Sequence, residues 1–275
     1  MPDFRTRFAP SPTGSLHLGH ALSAYLVRQA ADRLNGEAWL RIEDVDVTRC
    51  RPEYDAAIQE DLAWLGLTWD GPVRRQSEHL DAYLSVVASL RDRGLLYRCF
   101  RSRQALTRLF PDGIVRGSGI SVEQERAKLA EGAPFAWRLS LDAAKREMGI
   151  LLFGSLAFDV EQDGEVQTIA AQPDLHGDIA LTRKDSPIAY HLAATHDDAV
   201  QGMTHIVRGE DLVDAPHIQV LLQALMDWPR PIYRHHPLLL GPDGTRLSKA
   251  HRSKSLAALR AEGLSPGDVL ALAGL

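Results

Sequence analysis

The residues best suited to chemistry lie in one short run, Arg7-Phe8-Ala9-Pro10-Ser11-Pro12-Thr13-Gly14-Ser15-Leu16-His17-Leu18-Gly19-His20. His17 and His20 are three positions apart, so on a helix they share a face. Both can donate hydrogen bonds to oxygens that gather negative charge in a transition state. Pro10, Pro12 and Gly14 fix a turn, and a helix opens at the histidines. A helix start presents unpaired N–H groups and the positive end of the dipole, a natural seat for phosphate. Gly19 lets a planar base or ribose approach the backbone with no Cβ in the way. Arg7, ending the first strand, is a good fork for a carboxylate. Glu43 in Arg41-Ile42-Glu43-Asp44 ends the next strand and can take an ammonium. Arg208, in His205-Ile206-Val207-Arg208-Gly209-Glu210-Asp211, closes a third strand; it either serves a cleft or pairs with Glu210 or Asp211. Far downstream, Lys249 in Arg246-Leu247-Ser248-Lys249-Ala250 is a flexible point charge, a poor signal on its own.

These groups need a βαβ unit to position them. Phe4 to Phe8 reads as a buried strand, and Leu18, Leu22, Tyr25, Leu26 and Leu34 follow a helical period to about Asn35 or Gly36. Ala38 to Ile42 is the next strand, which puts the ligand edge at the first loop. Pro52 opens a helix with Ile58, Leu62 and Leu65 on one face and Gly66 as its stop. Leu80, Tyr83, Leu84, Val87 and Leu90 mark another, closed by Gly94, and Ser121 with Gln124 forms a capping box. From Phe135 to Ile169 short alternating runs, broken by Gly154, Asp163 and Gly164, suggest an inserted β-rich region. A strand is expected at Ile179 to Arg183, followed by the runs Ile188 to Ala194 and His205 to Val207. Asp214-Ala215-Pro216 starts a helix to about Met226, and short helices follow Ser255 and Ser265-Pro266.

Composition sets bounds. The 275 residues suffice for a sizeable core, and 45% hydrophobic with 24% charged residues is ordinary for a soluble globular protein. No apolar run is long enough to span a membrane, and the N-terminus lacks a signal pattern. Cys50 and Cys99 do not make a disulfide framework, which fits a reducing cytosol. A net charge of -5 does not announce a nucleic-acid binder, so an RNA partner would need a local basic surface. The arginines between Arg91 and Arg116 and the segment Arg246 to Lys254 are the candidates.

The first run resembles the signature loop of class I aminoacyl-tRNA synthetases, with His-Leu-Gly-His where that family writes His-Ile-Gly-His. Arg7 to Gly14 is similar to its glutamate/glutamine branch. Residues 246–250 stand where the family writes Lys-Met-Ser-Lys-Ser, with Arg, Leu and Ala as departures. The resemblance covers nearly the whole chain. It implies an α/β fold, a Rossmann-type catalytic core with an inserted α/β subdomain: residues 1–98 and 178–235 as the two halves of the core, 99–177 as the acceptor-type insertion, and 236–275 as the lysine-loop region with short helices. It implies a ligase that activates L-glutamate with ATP to glutamyl-adenylate. His17, His20 and Lys249 would be catalytic, with Pro10, His17, Gly19, His20 and Lys249 on ATP. Arg7, Ala9, Ser11, Glu43, Tyr190 and Arg208 would contact glutamate, and two well-placed arginines suit it better than glutamine. Magnesium is expected with ATP, held by phosphates and water.

Only 26 residues follow Lys249, which leaves no anticodon-binding domain expected. That length resembles the truncated glutamyl-Q branch of the family. The branch implies activation without tRNA and transfer of glutamate to the queuosine base in the anticodon of tRNA(Asp). The alternatives are the core of a tRNA(Glu)-charging enzyme and a non-catalytic tRNA-binding module; intact His17, His20, Glu43, Arg208 and Lys249 weigh against the second. Many members of the branch hold zinc through Cys-x-Cys, a Tyr and a further Cys. Here Tyr97-Arg98-Cys99-Phe100-Arg101 keeps one cysteine and no other follows. One thiolate cannot build a four-ligand site, so zinc is expected to be lost and residues 100–119 to pack by other means. A cytoplasmic protein is expected, with a monomer as the default.

Overall fold

A computed structural model of the chain describes residues 3–239 and 254–275. It opens with the expected βαβ unit: β1 (Arg5–Phe8), α1 (Leu18–Arg33) and β2 (Glu37–Ile42), the two strands parallel from Arg5↔Glu37 to Phe8↔Leu40. The turn into β2 passes so close to β1 that a Cβ on Gly36 would lie 2.3 Å from the Phe4 carbonyl oxygen. α2 (Pro52–Trp64) starts on its proline and ends before Gly66. The short β3 (Arg74–Arg75) pairs parallel with β2, and α3 (Leu80–Asp92) ends two residues before Gly94.

The chain then leaves the sheet. β4 (Leu96–Cys99) pairs antiparallel with β5 (Ala136–Leu139), and between them lie α4 (Arg103–Leu109) and α5 (Val122–Ala130). The Ser121–Gln124 capping box opens α5. After α6 (Leu141–Met148) and α7 (Ile150–Gly154), the hairpin of β6 (Ala157–Gln162) and β7 (Glu165–Ala170) returns to a sheet. β6 pairs parallel with β9 (Ile232–His236) at Val160↔Tyr233, and β9 runs parallel to β8 (His205–Gly209). Thr204, just before β8, donates its N–H to the Arg5 carbonyl at 3.0 Å, and its hydroxyl accepts from Arg5 N–H at 2.8 Å. β8 therefore lies against β1, and the two strand groups abut there.

Two expectations need correction. Ile179 to Arg183 forms no strand: it touches β5 through Leu139 N–H to Ile179 O and Leu181 N–H to Trp137 O, both 2.9 Å, and a single bridge at Arg138↔Ala180. Side-chain bonds pin it instead. The Asp178 carboxylate accepts from Leu141 N–H at 2.8 Å, Gly117 N–H at 2.6 Å and the Tyr97 hydroxyl at 3.0 Å. The run Ile188 to Ala194 turns helical at α8 (Tyr190–Val200). α9 (Pro216–Met226) begins on its proline as expected, and α10 (Leu256–Ala261) and α11 (Pro266–Leu272) are capped by Ser255 and Ser265. One core cluster joins β1, β2, α1, α2, α10 and α11; the other gathers α3, β4, β5, β6, α8, α9 and Tyr233. Among the described residues no helix is long and apolar enough to cross a membrane.

Candidate active site

β1 and β8 are neighbours in space but far apart in the chain, and helices leave them toward different parts of the molecule. Such a switch in connection opens a crevice beyond the strand ends, where ligands of α/β sheets settle. Here the crevice holds a cavity of about 560 Å³. Arg7, Ala9, Pro10 and Ser11 line it from β1 and its loop, His17, Gly19 and His20 from the start of α1, and Glu43 from beyond β2. Tyr190 at the start of α8 and Arg208 on β8 complete the set. All ten candidates among the described residues thus meet in one place. Lys249 lies outside the described residues.

The α1 start is an imidazole-built cap. His17 is the N-cap, with extended backbone, and its Nδ1 accepts from Gly19 N–H at 3.2 Å. In return, His20 Nδ1 accepts from His17 N–H at 3.2 Å. The rings sit 3.9 Å apart at 43°. With both Nδ1 atoms accepting, the proton of each neutral ring belongs on Nε2. Gly19 serves this cap as well as any ligand: a Cβ there would come within 3.1 Å of His17 Cε1.

Beneath the cavity the charges divide sharply. Asp198 of α8 accepts from Arg7 Nε at 2.9 Å and from Arg41 Nη1 at 2.7 Å, with all three side chains at most 5% exposed. Arg41 also reaches Glu43 at 3.1 Å and the Gln201 side-chain oxygen at 3.2 Å. Burial works against the Asp198 carboxylate, yet Arg41 and Arg7 hold its pKa below the usual range. For Glu43 burial wins over Arg41 and Arg7, and its pKa is raised. The carboxylate fork of Arg7 is therefore already engaged.

Arg208 differs. It is 4% exposed, and among the described residues its side-chain partners include neither Glu210 nor Asp211. Its hydrogen bonds among the described residues go to neutral groups: His235 Nε2 at 3.3 Å, Tyr190 OH at 3.4 Å and Gln219 Oε1 at 3.2 Å. The guanidinium also lies 5.2 Å from the centre of the Tyr233 ring. Burial, and secondly the charge of Arg208, lower the His235 pKa to about 4, so that ring is neutral near pH 7. A buried guanidinium without a counter-charge costs several kcal/mol. The arrangement can repay that by receiving an anion from the cavity.

Asp198, Arg41, Gln219 and His235 were missed by reasoning from sequence. The available signals were the adjacent Asp197 and Asp198 late in α8, and Gln219, with Gln223 four positions on, among the apolar residues of α9. Among the described residues no group of three or more His, Cys, Asp or Glu could hold a metal. Cys99 is buried and unpaired, and Arg101 donates to the Gly119 carbonyl at 2.7 Å, tying the end of β4 to the 117–119 loop. Of the arginines proposed for RNA, Arg91, Arg93, Arg98 and Arg116 are each paired with a carboxylate.

Residues 3–272 match the family described as tRNA synthetases class I (E and Q), catalytic domain. The chain belongs to this family. As a class I tRNA synthetase domain it is a ligase, with the Rossmann-type core of that class. It is 40% identical to the Glutamyl-Q tRNA(Asp) synthetase of Rhodobacter capsulatus, over 98% of this chain and 99% of that one. It is 38% identical to the protein of the same name from Symbiobacterium thermophilum, over 96% and 83%. A glutamate tRNA ligase from Elizabethkingia meningosepticum, solved in complex with its amino acid, superimposes with a TM-score of 0.74 at 25% identity. That match covers 96% of this chain and 58% of the other.

Proposed function

We propose that this synthetase domain activates L-glutamate with ATP, and passes the glutamyl group to the queuosine base in the anticodon of tRNA(Asp). The observation that carries the amino-acid assignment is the buried Arg208 with only neutral partners, lining the same cavity as Glu43. The α-carboxylate must face phosphorus to react, so the side-chain carboxylate goes to Arg208 and the ammonium to Glu43. Arg7, held by Asp198, sets the wall between them; Ala9, Ser11 and Tyr190 shape the rest. With Glu43 ionised, the contiguous group of Arg7, Arg41 and Arg208 with Asp198 and Glu43 carries an excess of one positive charge, Asp211 of the cavity lining not being among them. Glutamate, with one net negative charge, cancels it, whereas glutamine leaves it standing.

Activation is in-line attack of the carboxylate on the α-phosphorus with pyrophosphate leaving, a reaction governed by positioning and charge neutralisation. The positive end of the α1 dipole and the Nε2 donors of His17 and His20 supply those charges at one end of the cavity. Pro10 and Gly19 line the ATP side, and Lys249 is assigned to the leaving phosphates on its motif. Magnesium would arrive with ATP, on phosphates and water.

The acceptor assignment rests on the two relatives that carry the glutamyl-Q name and that this chain matches almost end to end. The test is transfer of labelled glutamate, with ATP, onto tRNA(Asp) with and without queuosine and onto tRNA(Glu). Label confined to queuosine-containing tRNA(Asp) supports the proposal. Label at the 3′ end of tRNA(Glu) makes this a tRNA(Glu)-charging core, and no adenylate at all makes it a binding module.

A further inference from the structure

Among the described residues, the other deeply buried charges beside the cavity, Arg7, Arg41, Asp197 and Asp198, each meet an opposite one, so the neutrality of the shell around Arg208 calls for explanation. Asp198 has Arg7 and Arg41; Asp197 has Arg74 at 2.9 Å with the Tyr83 hydroxyl at 2.8 Å and Gln76 at 3.1 Å. Gln219, 1% exposed on α9, turns its amide to Arg208. Arginine offers donors only, so the atom facing it must be the oxygen. Among the described residues the Gln219 amide nitrogen has no hydrogen-bond partner, although it is buried. A side chain that leaves its own donor unsatisfied while satisfying Arg208 is placed for the arginine's benefit rather than for packing economy. A glutamate would fit the same space and would pair with Arg208 more strongly.

We infer that Gln219, with His235, is a specificity-determining positioning residue: the two hold the Arg208 guanidinium by neutral acceptors, reserving its charge for the carboxylate of the amino-acid substrate. The inference rests on the glutamate-activating reading above. Gln219 sets the direction of Nη2 and His235 that of Nε, and neither neutralises the cation. A carboxylate at position 219 would occupy the cation permanently and close the local charge balance without substrate.

The test is Gln219→Glu beside Gln219→Leu and the parent protein, in pyrophosphate exchange with glutamate and with glutamine, together with thermal unfolding. Gln219→Glu is expected to raise the glutamate KM at least about 30-fold, the scale of one lost charge-assisted bond, with a smaller change in kcat. Its kcat/KM ratio of glutamate over glutamine is expected to fall by at least tenfold, with an unchanged or higher melting temperature because the new carboxylate is paired. Gln219→Leu keeps the charge of Arg208 free and is expected to keep most of that ratio while raising KM for both amino acids. Equal losses in both variants, carried by kcat or by melting temperature with the ratio unmoved, would show a packing role and overturn the inference alone. A parent protein that activates neither amino acid would overturn the glutamate reading and this inference with it.

Discussion

Asp198→Asn tests whether the floor of the cavity is an electrostatic keystone. The carboxylate lies 2.9 Å from Arg7 Nε and 2.7 Å from Arg41 Nη1, and the three side chains are 5%, 4% and 0% exposed. Asparagine has nearly the same shape, so packing is preserved and only charge is removed. Taking away one partner of a buried pair costs about 3–5 kcal/mol, because the remaining charge stays in a poorly solvated place. Here two guanidiniums share the loss, with Glu43 left as a partner to Arg41. Against a total stability of about 5–15 kcal/mol, that is a large fraction. At about 2–4 °C per kcal/mol for a chain of this size, the melting temperature should fall by about 6–20 °C.

Thermal unfolding by circular dichroism at pH 7 measures the shift, and a pH series adds an independent signature. The folded Asp198 pKa is lower than the unfolded one, because Arg41 and Arg7 outweigh burial. The unfolded carboxyl therefore binds its proton first on acidification. Its stabilising contribution is complete above the unfolded value of about 4 and drains away as pH falls through the folded value. The parent protein should lose stability across that acid window, and Asp198→Asn should lose less. A melting temperature within about 2 °C of the parent, or an unchanged acid limb, would refute the reasoning. Either result would mean that water already screens the cluster.

Other perturbations follow from the same geometry. Arg208→Gln should lower kcat/KM for glutamate by at least about 100-fold in pyrophosphate exchange, the scale of two charge-assisted hydrogen bonds, and shrink the preference over glutamine. His17→Ala should lower kcat by about 10²–10³-fold if its Nε2 serves the transition state, and also cost about 1 kcal/mol of stability through the lost cap, read by urea titration. Gly36→Ala should destabilise by about 1–3 kcal/mol, also read by urea titration, because its Cβ would sit 2.3 Å from the Phe4 carbonyl oxygen and one backbone must move. Acidification from about pH 6.5 toward 4 should lower the melting temperature, since burial depresses His191 and His235 to about 4 and the unfolded rings take up protons first. His191→Gln should flatten that slope.

What could be read from the chain was local. The spacing of His17, Gly19 and His20 encodes a capping box and a helix start within four residues, so the sequence and the geometry agree there. Arg208 was legible as a cation at a strand end, but its neutral surroundings were not. Gln219 and His235 reach it from α9 and β9; a polar residue in an apolar helix was a faint mark for Gln219, and nothing in its own neighbourhood marks His235. Asp198 is 191 positions from Arg7, and only the sheet brings them together. The strand expected at Ile179 to Arg183 failed for the same reason. Its alternation is that of an extended segment, but Asp178 bonds three neighbours and bends the chain away from a ladder.

The contrast between the arginines of the cavity also explains why this pocket should prefer an acid to an amide without any residue that touches the amide group. A hydrogen-bond donor alone would accept the side-chain oxygen of either amino acid. Arg7 and Arg41 are already matched to Asp198 and Glu43, so they contribute a polarised but balanced floor. Among the described arginines of the cavity, Arg208 is the one with only neutral partners, in a place where water cannot screen it well. At an effective dielectric constant of 20, a full charge about 4 Å away is worth about 4 kcal/mol, and a neutral amide recovers only part of it. Selectivity then comes from what surrounds Arg208 as much as from Arg208 itself, since any carboxylate in that shell would erase it.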